Sequence, residues 1–227
     1  MNFKEQLHDI AGVKSHTMFE RYLYDIIFKP EERERFYWGL HEVNPSLSTD
    51  TFKPYFEEHS AERQTNQQLY TPDEVAELLS LMIGDGFSAY DPAAGTGTLL
   101  IDKWNHDRIQ QSPFTYYPHN YFYIAEELAD NSLPYLIHNM AYRGMNGIVM
   151  HGDSVERVYE NIFYIQNTND DFMDFSDVNV LPRTKDTEEY LDINGWTGKA
   201  IEHIESNGFY IQEENEAYEM IERVLRQ

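Results

Sequence analysis

The sequence predicts an α/β fold, a parallel sheet with helices on both faces, preceded by a small helical region. From residue 70 onward, short apolar stretches alternate with stretches of helical spacing, which is typical of strands joined by crossover helices. A hydrophobic content of 41% over 227 residues is enough for a substantial core. The predicted strands are Ser88–Asp91, Tyr121–Ala125, Gly147–Met150, Asp177–Leu181 and Gly208–Ile211, and the predicted helices are Thr98–Gln110, Asn131–Tyr142, Thr187–Glu205 and Glu213–Arg226.

Residues 1–69 are predicted to form helices followed by a linker. Apolar residues between Phe19 and Ile27 recur at helical spacing, and Pro30 fits the first turn of a following helix. The stretch 44–68 is rich in Pro, Ser, Thr and Asp and ends in a polar run, which indicates a loop. We therefore place a main α/β domain at residues 70–227.

The charge of the chain limits its partners. The formal net charge is −23, and residues 70–227 alone carry 9 basic and 28 acidic side chains. Because DNA is held chiefly through Lys and Arg on its phosphates, this balance disfavours tight unassisted DNA binding. It fits either a solubilising surface or a surface shaped for a basic partner.

Several other classes of protein are excluded or disfavoured. The chain has no cysteine, so it has neither disulfides nor thiolate metal sites, and its nine histidines show no His-Glu-x-x-His pattern. We therefore predict no metal site. No signal peptide and no stretch of 18 apolar residues is present, so we expect a soluble, intracellular protein with no membrane segment.

The most informative stretch is Tyr90–Leu100. An apolar strand ends in Asp91, a loop containing Gly95 and Gly97 follows, and a helix then begins. Glycines at such a turn let backbone amides approach a bound nucleotide-like ligand closely. A tight turn without any ligand would also require glycine, and this alternative stays open.

Carboxylates follow the next two predicted strands as well. The second strand ends in Glu126 and Glu127, and the third is followed by Asp153. Ligands of open α/β sheets bind at this edge, where an acid at the second strand grips ribose hydroxyls. Glu126 could equally be the ribose partner, with Glu127 merely solvated, and Asp153 could cap a helix at 155–159.

Five motifs then occur in the order found in one enzyme family. They are Gln68–Pro72, Asp91–Leu100, Ala125–Leu128, Asn139–Gly144 and Gly152–Ser154. Together, over roughly residues 66–155, they resemble N6-adenine DNA methyltransferases of the type I restriction-modification modification-subunit kind. The resemblance implies a Rossmann-like S-adenosylmethionine-dependent methyltransferase sheet, incomplete at its C-terminus, in the cytoplasm of a bacterial or phage-infected cell.

The resemblance also implies roles for individual residues. It implies a cap of the cofactor pocket at Tyr70, Thr71 and Pro72, and a methionine side lined by Asp91, Ala93, Gly95 and Gly97. It also implies that Glu127 is the ribose acid and that Asp153 accepts from the adenine amino group. Glu127 would hold the ribose through two charge-assisted hydrogen bonds.

The family's base-binding motif, Asn or Asp followed by Pro-Pro and an aromatic residue, has no match. Its nearest candidate residues are Asp177, Asn179 and Pro182, with a single proline and no aromatic residue directly after it. A flipped-out adenine needs an acceptor for its amino group and an aromatic face to stack on. We therefore expect a cofactor pocket without methyl transfer.

We accordingly expect a pseudoenzyme that works through a protein partner. The partner would be a basic DNA-binding regulator or a restriction or replication protein, with the acidic surface imitating DNA. Two alternatives stay open. One is an active adenine-specific methyltransferase, alone or completed by a partner subunit, and the other is a relic that has lost the cofactor altogether.

Overall fold

A computed structural model describes residues 2–60 and 88–206 of the chain. The helices are α1 (Phe3–Ala11), α2 (His16–Ile27), α3 (Pro30–Val43), α4 (Lys53–Ser60), α5 (Thr98–Ile109), α6 (Leu133–Tyr142) and α7 (Lys185–Tyr190). The strands are β1 (Ser88–Asp91), β2 (Phe122–Glu127), β3 (Gly147–Asp153), β4 (Val158–Gln166), β5 (Asp177–Val180) and β6 (Gly195–Trp196). The predicted strand Gly208–Ile211, the predicted helix Glu213–Arg226 and the predicted domain boundary at residue 70 lie outside the described residues.

One mixed sheet organises the described residues. Its strands lie in the order β1-β2-β3-β4-β5, and β6 pairs with β4. Strands β1, β2 and β3 are parallel, whereas β4 runs antiparallel to both β3 and β5. Four of the five predicted strands are confirmed, and the α/β class with N-terminal helices is confirmed with them.

The antiparallel strand β4 was not predicted. It continues from β3 through a hairpin, so the stretch 155–159 is a turn and the start of a strand, and the alternative of a helix capped by Asp153 is wrong. Arg157, the last residue of this turn, has a φ of +58°. Most of β4 is buried, and such a nearly continuous apolar run shows no alternation that would distinguish a strand from a buried helix.

The helix predicted at Thr187–Glu205 is largely wrong. Helix α7 occupies only its beginning, and Asp192 and Gly198 then take positive φ values that interrupt a helix. The chain continues into β6 and irregular backbone that runs back along the sheet. Leu191 and Ile193, which contributed to the apolar pattern of this segment, are buried from a turn and irregular backbone and not from a helix.

The predicted linker 44–68 contains helix α4. Asp50 starts this helix, because its Oδ1 accepts the backbone N–H groups of Phe52 and Lys53, each at 3.0 Å. Phe52, Tyr55 and Phe56 are buried, so this segment belongs to the core. The predicted loop is therefore wrong for residues 53–60, which are helical, and residues 61–68 lie outside the described residues.

The N-terminal helices cover one face of the sheet together with α6. His138 of α6 joins them: its Nδ1 lies 2.8 Å from the Tyr37 hydroxyl and its Nε2 lies 2.8 Å from the Leu23 carbonyl oxygen. A carbonyl can only accept, so Nε2 carries the proton and Nδ1 accepts from the tyrosine. Burial lowers the pKa of His138 to about 3, which keeps this bridge neutral.

A second, smaller cluster packs on the opposite face of the sheet. It includes Ile148, Ile162, Tyr164, Leu191 and Ile193. Within residues 2–60 and 88–206, no helix has the length and apolar character that crossing a membrane requires.

Candidate functional site

The glycine loop begins where β1 ends. The Asp91 carboxylate accepts the backbone N–H of Ala93 at 3.1 Å, and burial raises the pKa of this carboxyl group despite that hydrogen bond. Gly95 and Gly97 have φ values of +59° and +98°, a region that favours glycine. The loop therefore depends on glycine at both positions.

The two glycines differ in what surrounds them. A Cβ on Gly97 would lie 2.9 Å from Cδ1 of Leu136, so Gly97 also allows close packing of the loop on α6. A Cβ on Gly95 would meet no atom of the described residues within 4 Å. Among the described residues, Gly95 is therefore not packed against a neighbour as Gly97 is.

Glu127, at the end of β2, closes the loop. Its two carboxylate oxygens accept the N–H of Gly95 and the N–H of Ala129, each at 2.7 Å. The backbone N–H of Ala94 donates to the Glu126 carbonyl oxygen at 2.9 Å. Because Glu127 is buried and bonded on both oxygens, the interpretation of it as merely solvated is wrong.

Glu126 points to the other face of the sheet. Its carboxylate accepts the hydroxyl of Tyr90 at 2.6 Å, the guanidinium of Arg157 at 2.8 Å and the hydroxyl of Tyr159. It is 1% exposed. These three partners occupy its carboxylate on that face, away from the Gly95 N–H that Glu127 accepts.

Asp50 holds the glycine loop from the N-terminal side. Its Oδ2 accepts the hydroxyls of Thr96 at 2.5 Å and Thr98 at 2.9 Å, one in the loop and one in the first turn of α5. Its Oδ1 accepts the side-chain amide of Asn139, at 2.7 Å, and that amide also donates to the Thr96 carbonyl oxygen at 2.8 Å. Residues 89 positions apart in the chain therefore fix one loop.

Arg143 completes this buried network. Its guanidinium donates to the backbone and side-chain oxygens of Asn139, at 2.9 and 3.0 Å. It also donates to the carbonyl oxygens of Leu47, at 2.9 Å, and Thr49, at 2.5 Å. Burial lowers the pKa of Arg143 to about 10 against the opposing charge of Asp50, so the guanidinium stays charged at neutral pH.

Sequence reasoning gave no role to Asp50 and quoted Asn139 and Arg143 only as parts of a motif. Asp50 could have been found from its own signal, an Asp ahead of a short apolar helix, which is typical of a helix N-cap. Its bonds to the glycine loop had no signal in the local sequence.

Asp153 lies at the end of β3, on the same edge of the sheet as Asp91 and Glu127. Its Oδ1 accepts the N–H groups of Val155 and Glu156, at 2.9 and 3.0 Å, and so shapes the turn of the hairpin. The structure thus brings Asp91, the glycine loop, Glu127 and Asp153 to one edge. Tyr70, Thr71 and Pro72 lie outside the described residues.

The candidate catalytic residues do not join this edge. In the sheet register Asp91, Ala125, Val149, Phe163 and Val180 form one row, so β5 lies four strands from β1, about 19 Å away at the usual strand spacing. Asp177 and Asn179 belong to β5, and Pro182 follows it.

The candidate side chains on β5 also have other partners. Asn179 is fully buried, and its Oδ1 accepts the N–H groups of Glu205 at 2.9 Å and Ser206 at 3.2 Å. Asp177 accepts the hydroxyl of Thr168 at 2.5 Å, and burial raises the pKa of its carboxyl group. Asp177 and Asn179 therefore lie on a strand that the glycine loop does not reach.

Comparison with known families agrees with the geometry of the β1 edge. The sequence model of the family described as N-6 DNA Methylase matches residues 50–179. The chain belongs to the N-6 DNA methylase family. The match starts at Asp50, includes the glycine loop, Glu127, Asn139 and Arg143, and ends at Asn179 on β5. A search of curated proteins gave no significant match.

Family membership explains the kind of fold. Methylases of this family in general use S-adenosylmethionine as the methyl donor. A parallel strand–loop–helix unit with acids at the strand ends is the Rossmann-like arrangement expected of such a domain.

Proposed function

We propose that this N-6 DNA methylase family member binds S-adenosylmethionine at the edge of the sheet that holds Asp91, the glycine loop and Glu127. We further propose that it transfers no methyl group and acts by contacting another protein. The observation that carries the first part is the Glu127 carboxylate bonded to the Gly95 N–H beside Asp91.

The geometry of Glu127 supports cofactor binding. Each of its oxygens accepts one backbone N–H, and a carboxylate oxygen can accept a second hydrogen bond. The carboxylate is therefore fixed in orientation while it keeps acceptor capacity for two ribose hydroxyls. Asp91 adds a second buried carboxyl group on an edge that would receive a cationic sulfonium ligand.

The missing motif and the place of β5 support the second part. No Pro-Pro occurs in the chain, and the candidate residues Asp177 and Asn179 lie on β5, about 19 Å from the β1 strand. Methyl transfer to a flipped-out adenine needs an acceptor for the amino group next to the methyl donor. A side chain at that distance cannot supply it without rearrangement of the sheet.

Calorimetric titration of S-adenosylmethionine into the purified chain tests the pocket. We expect one site, and we expect Glu127→Ala to weaken binding at least about tenfold, because it removes the ribose acceptors and releases the Gly95 N–H. Glu156→Gln is the matched control, since Glu156 is an exposed acid on the turn after Asp153.

No binding by the unchanged chain would contradict the pocket and favour the relic. Binding that survives Glu127→Ala, or binding that Glu156→Gln weakens as much as Glu127→Ala does, would contradict the role of Glu127.

Active methylation by a complex with another subunit is the second candidate function. Within the described part of the chain, β1 pairs with β2 alone, so one side of β1 has room for a strand from another polypeptide. Such a strand could bring the missing motif next to Asp91. Transfer of a labelled methyl group to adenine-containing DNA, lost in Asp91→Ala and Glu127→Ala, would establish this candidate.

The acidic charge supports a basic partner. With 9 basic against 28 acidic side chains in residues 70–227, the chain presents a charge of the same sign as DNA. We infer that the partner is a basic DNA-binding regulator or a restriction or replication protein of a bacterial or phage-infected cell. Displacement of labelled DNA from such a protein should be strong at low salt and weak at high salt, and displacement insensitive to salt would contradict DNA mimicry.

A further inference from the structure

Three side chains from different elements converge next to the cofactor edge. Nε2 of His151, on β3, lies 3.1 Å from Oδ1 of Asp130 in the loop after β2, and Nδ1 of the same ring lies 3.8 Å from Oε2 of Glu160 on β4. One ring nitrogen and one oxygen from each acid lie within 4.8 Å of one another. In the register of the sheet, His151 is the direct neighbour of Glu127.

The cluster has no other charged partner among the described residues. The His151 side chain is 9% exposed, and both of its nitrogens face carboxylates. Neither Asp130 nor Glu160 pairs with a described Lys or Arg side chain. The Asp130 and Glu160 side chains are 92% and 42% exposed, so a cation from solvent can reach both acids beside the buried ring.

The surroundings hold two of the three side chains in place. Gly198 packs against Glu160 so closely that an added Cβ would lie 2.6 Å from Oε1 of that residue. Tyr24 of α2 lies near both acids: burial, and then the charges of Glu160 and Asp130, raise the pKa of its hydroxyl. Asp130, by contrast, has a side chain that is 92% exposed and free to adjust.

We propose that Asp130, His151 and Glu160 bind a divalent transition-metal ion, with Zn²⁺ and Mn²⁺ as the best candidates. One imidazole nitrogen with two carboxylate oxygens is a donor set that such ions accept, and the two negative charges balance a divalent ion. Bonds of about 2.1 Å put neighbouring ligand atoms about 3 to 4 Å apart, so a small movement of the exposed Asp130 completes the site.

The two ring nitrogens of His151 face different acids. The Nε2 that faces Asp130 at 3.1 Å coordinates the ion together with that acid. The opposite nitrogen, Nδ1, lies 3.8 Å from Oε2 of Glu160, so that acid lies beside the same ring. Glu160 reaches the ion through its second oxygen or through water. The ion would join the loop after Glu127 to β3 and β4, and it does not require the proposed cofactor to be bound.

Calorimetric titration of ZnCl₂ into the full chain, freed of metal with a chelator, tests the site. We expect one site of micromolar or tighter Kd, weakened at least about tenfold by His151→Ala and by Asp130→Asn, since each removes a ligand. Asp130 is exposed, so Asp130→Asn gives a result even where His151→Ala fails to fold.

His119 and Asp170 provide the matched control. They form a His–Asp pair at 2.5 Å with side chains 12% and 14% exposed, and no third acid belongs to this pair within the described residues. His119→Ala and Asp170→Asn should leave Zn²⁺ binding unchanged.

Absence of Zn²⁺ and Mn²⁺ binding would overturn the proposal. So would binding that Asp130→Asn leaves unchanged, or binding weakened equally by His119→Ala, because both outcomes mean general attraction to an acidic surface. The titration contains no S-adenosylmethionine, so its outcome separates failure of this site from failure of the proposed cofactor pocket.

Discussion

Two buried polar networks, one beside β1 and one beside β5, are built from the same types of side chain but have different effects. At the β1 end, Arg143, Asn139 and Asp50 fix the glycine loop and leave Gly95 beside open space. At the β5 end, Arg33 and Glu205 form a bidentate ion pair, at 2.5 and 2.8 Å, that closes the irregular C-terminal segment onto β5.

The difference lies in what each network leaves unoccupied. Around the glycine loop, the Asp91 and Glu127 carboxylates keep acceptor capacity toward the edge of the sheet. Around β5, the side-chain oxygens of Asn179 and Glu205 already accept hydrogen bonds from nearby backbone and side-chain donors. The two networks therefore differ in the acceptor capacity that they leave, and this difference is the reason for proposing the binding site at the glycine loop.

Removal of Asp50 should have the largest effect on stability. Asp50→Ala leaves the hydroxyls of Thr96 and Thr98 without this acceptor, removes one of the two acceptors of the Asn139 amide, and removes the main opposing charge of buried Arg143. We expect a loss of about 3 to 5 kcal/mol in the free energy of unfolding, measured in urea. Asp25→Ala, at an exposed pair 3.9 Å from Arg21, should cost under about 0.5 kcal/mol, and equal losses would contradict the network.

Breaking the β5 network should cost about 3 kcal/mol. Arg33→Met leaves Glu205 buried without its cation, while Lys29→Met, at an exposed pair with Glu32, should cost little. The double variant Arg33→Met/Glu205→Leu should recover much of the loss. Cofactor binding should be unchanged in Arg33→Met, since the two networks are separate.

The same pair predicts a dependence of stability on pH. Burial alone would raise the pKa of Glu205, but hydrogen bonds from Arg33 and its charge outweigh burial and lower the pKa below the ordinary value of 4.5. The stabilisation is therefore complete above about pH 4.5 and is lost as the pH falls through the lower folded pKa. The free energy of unfolding of Arg33→Met should fall less steeply over that range, and parallel curves would contradict the pair.

The two glycines of the loop should separate stability from binding. Gly97→Ala should cost about 2 kcal/mol, from its positive φ and the contact with Leu136, and Gly95→Ala about 1 kcal/mol from its positive φ alone. Gly95→Ala should nevertheless weaken S-adenosylmethionine binding at least about tenfold, because its Cβ enters the open space. Gly195→Ala is the control for thermal unfolding, since Gly195 has no positive φ and its added Cβ would lie 3.9 Å from the nearest atom, Cγ2 of Val158.

Asp91→Asn should have the smallest effect on stability and a large effect on binding. Burial raises the pKa of Asp91, so the ionised carboxylate costs stability at neutral pH, and this cost disappears as the pH falls below the ordinary value of 3.8. We expect the variant to be as stable as the unchanged chain, or slightly more stable, at pH 7, with no difference below pH 3.8. Loss of cofactor binding without loss of stability would identify Asp91 as a binding residue, and a large destabilisation would contradict this account.

Local patterns predicted the elements that build the candidate site. Strand ends at Asp91, Glu127 and Asp153 and the glycine turn before α5 follow from residues adjacent in the chain, and the structure has them. Strand β4 was missed because a strand buried on both faces shows no alternation of apolar and polar residues. Helix α4 was missed because the Pro, Ser, Thr and Asp residues before and within it are typical of a loop. The prediction of no metal site relied on local spacing, and it stays a prediction, because local spacing does not register that Asp130, His151 and Glu160 of three separate elements converge.

The sequence by itself determined the α/β class, the glycine loop and the acids at the ends of the strands, because each depends on neighbours a few positions away. Tertiary structure alone decided that Asp50 and Asn139 hold that loop, that β5 lies four strands from β1, and that Asp130, His151 and Glu160 converge. The physical reason is that these arrangements follow from the order of strands and from contacts across 21 to 89 residues, which no local periodicity encodes.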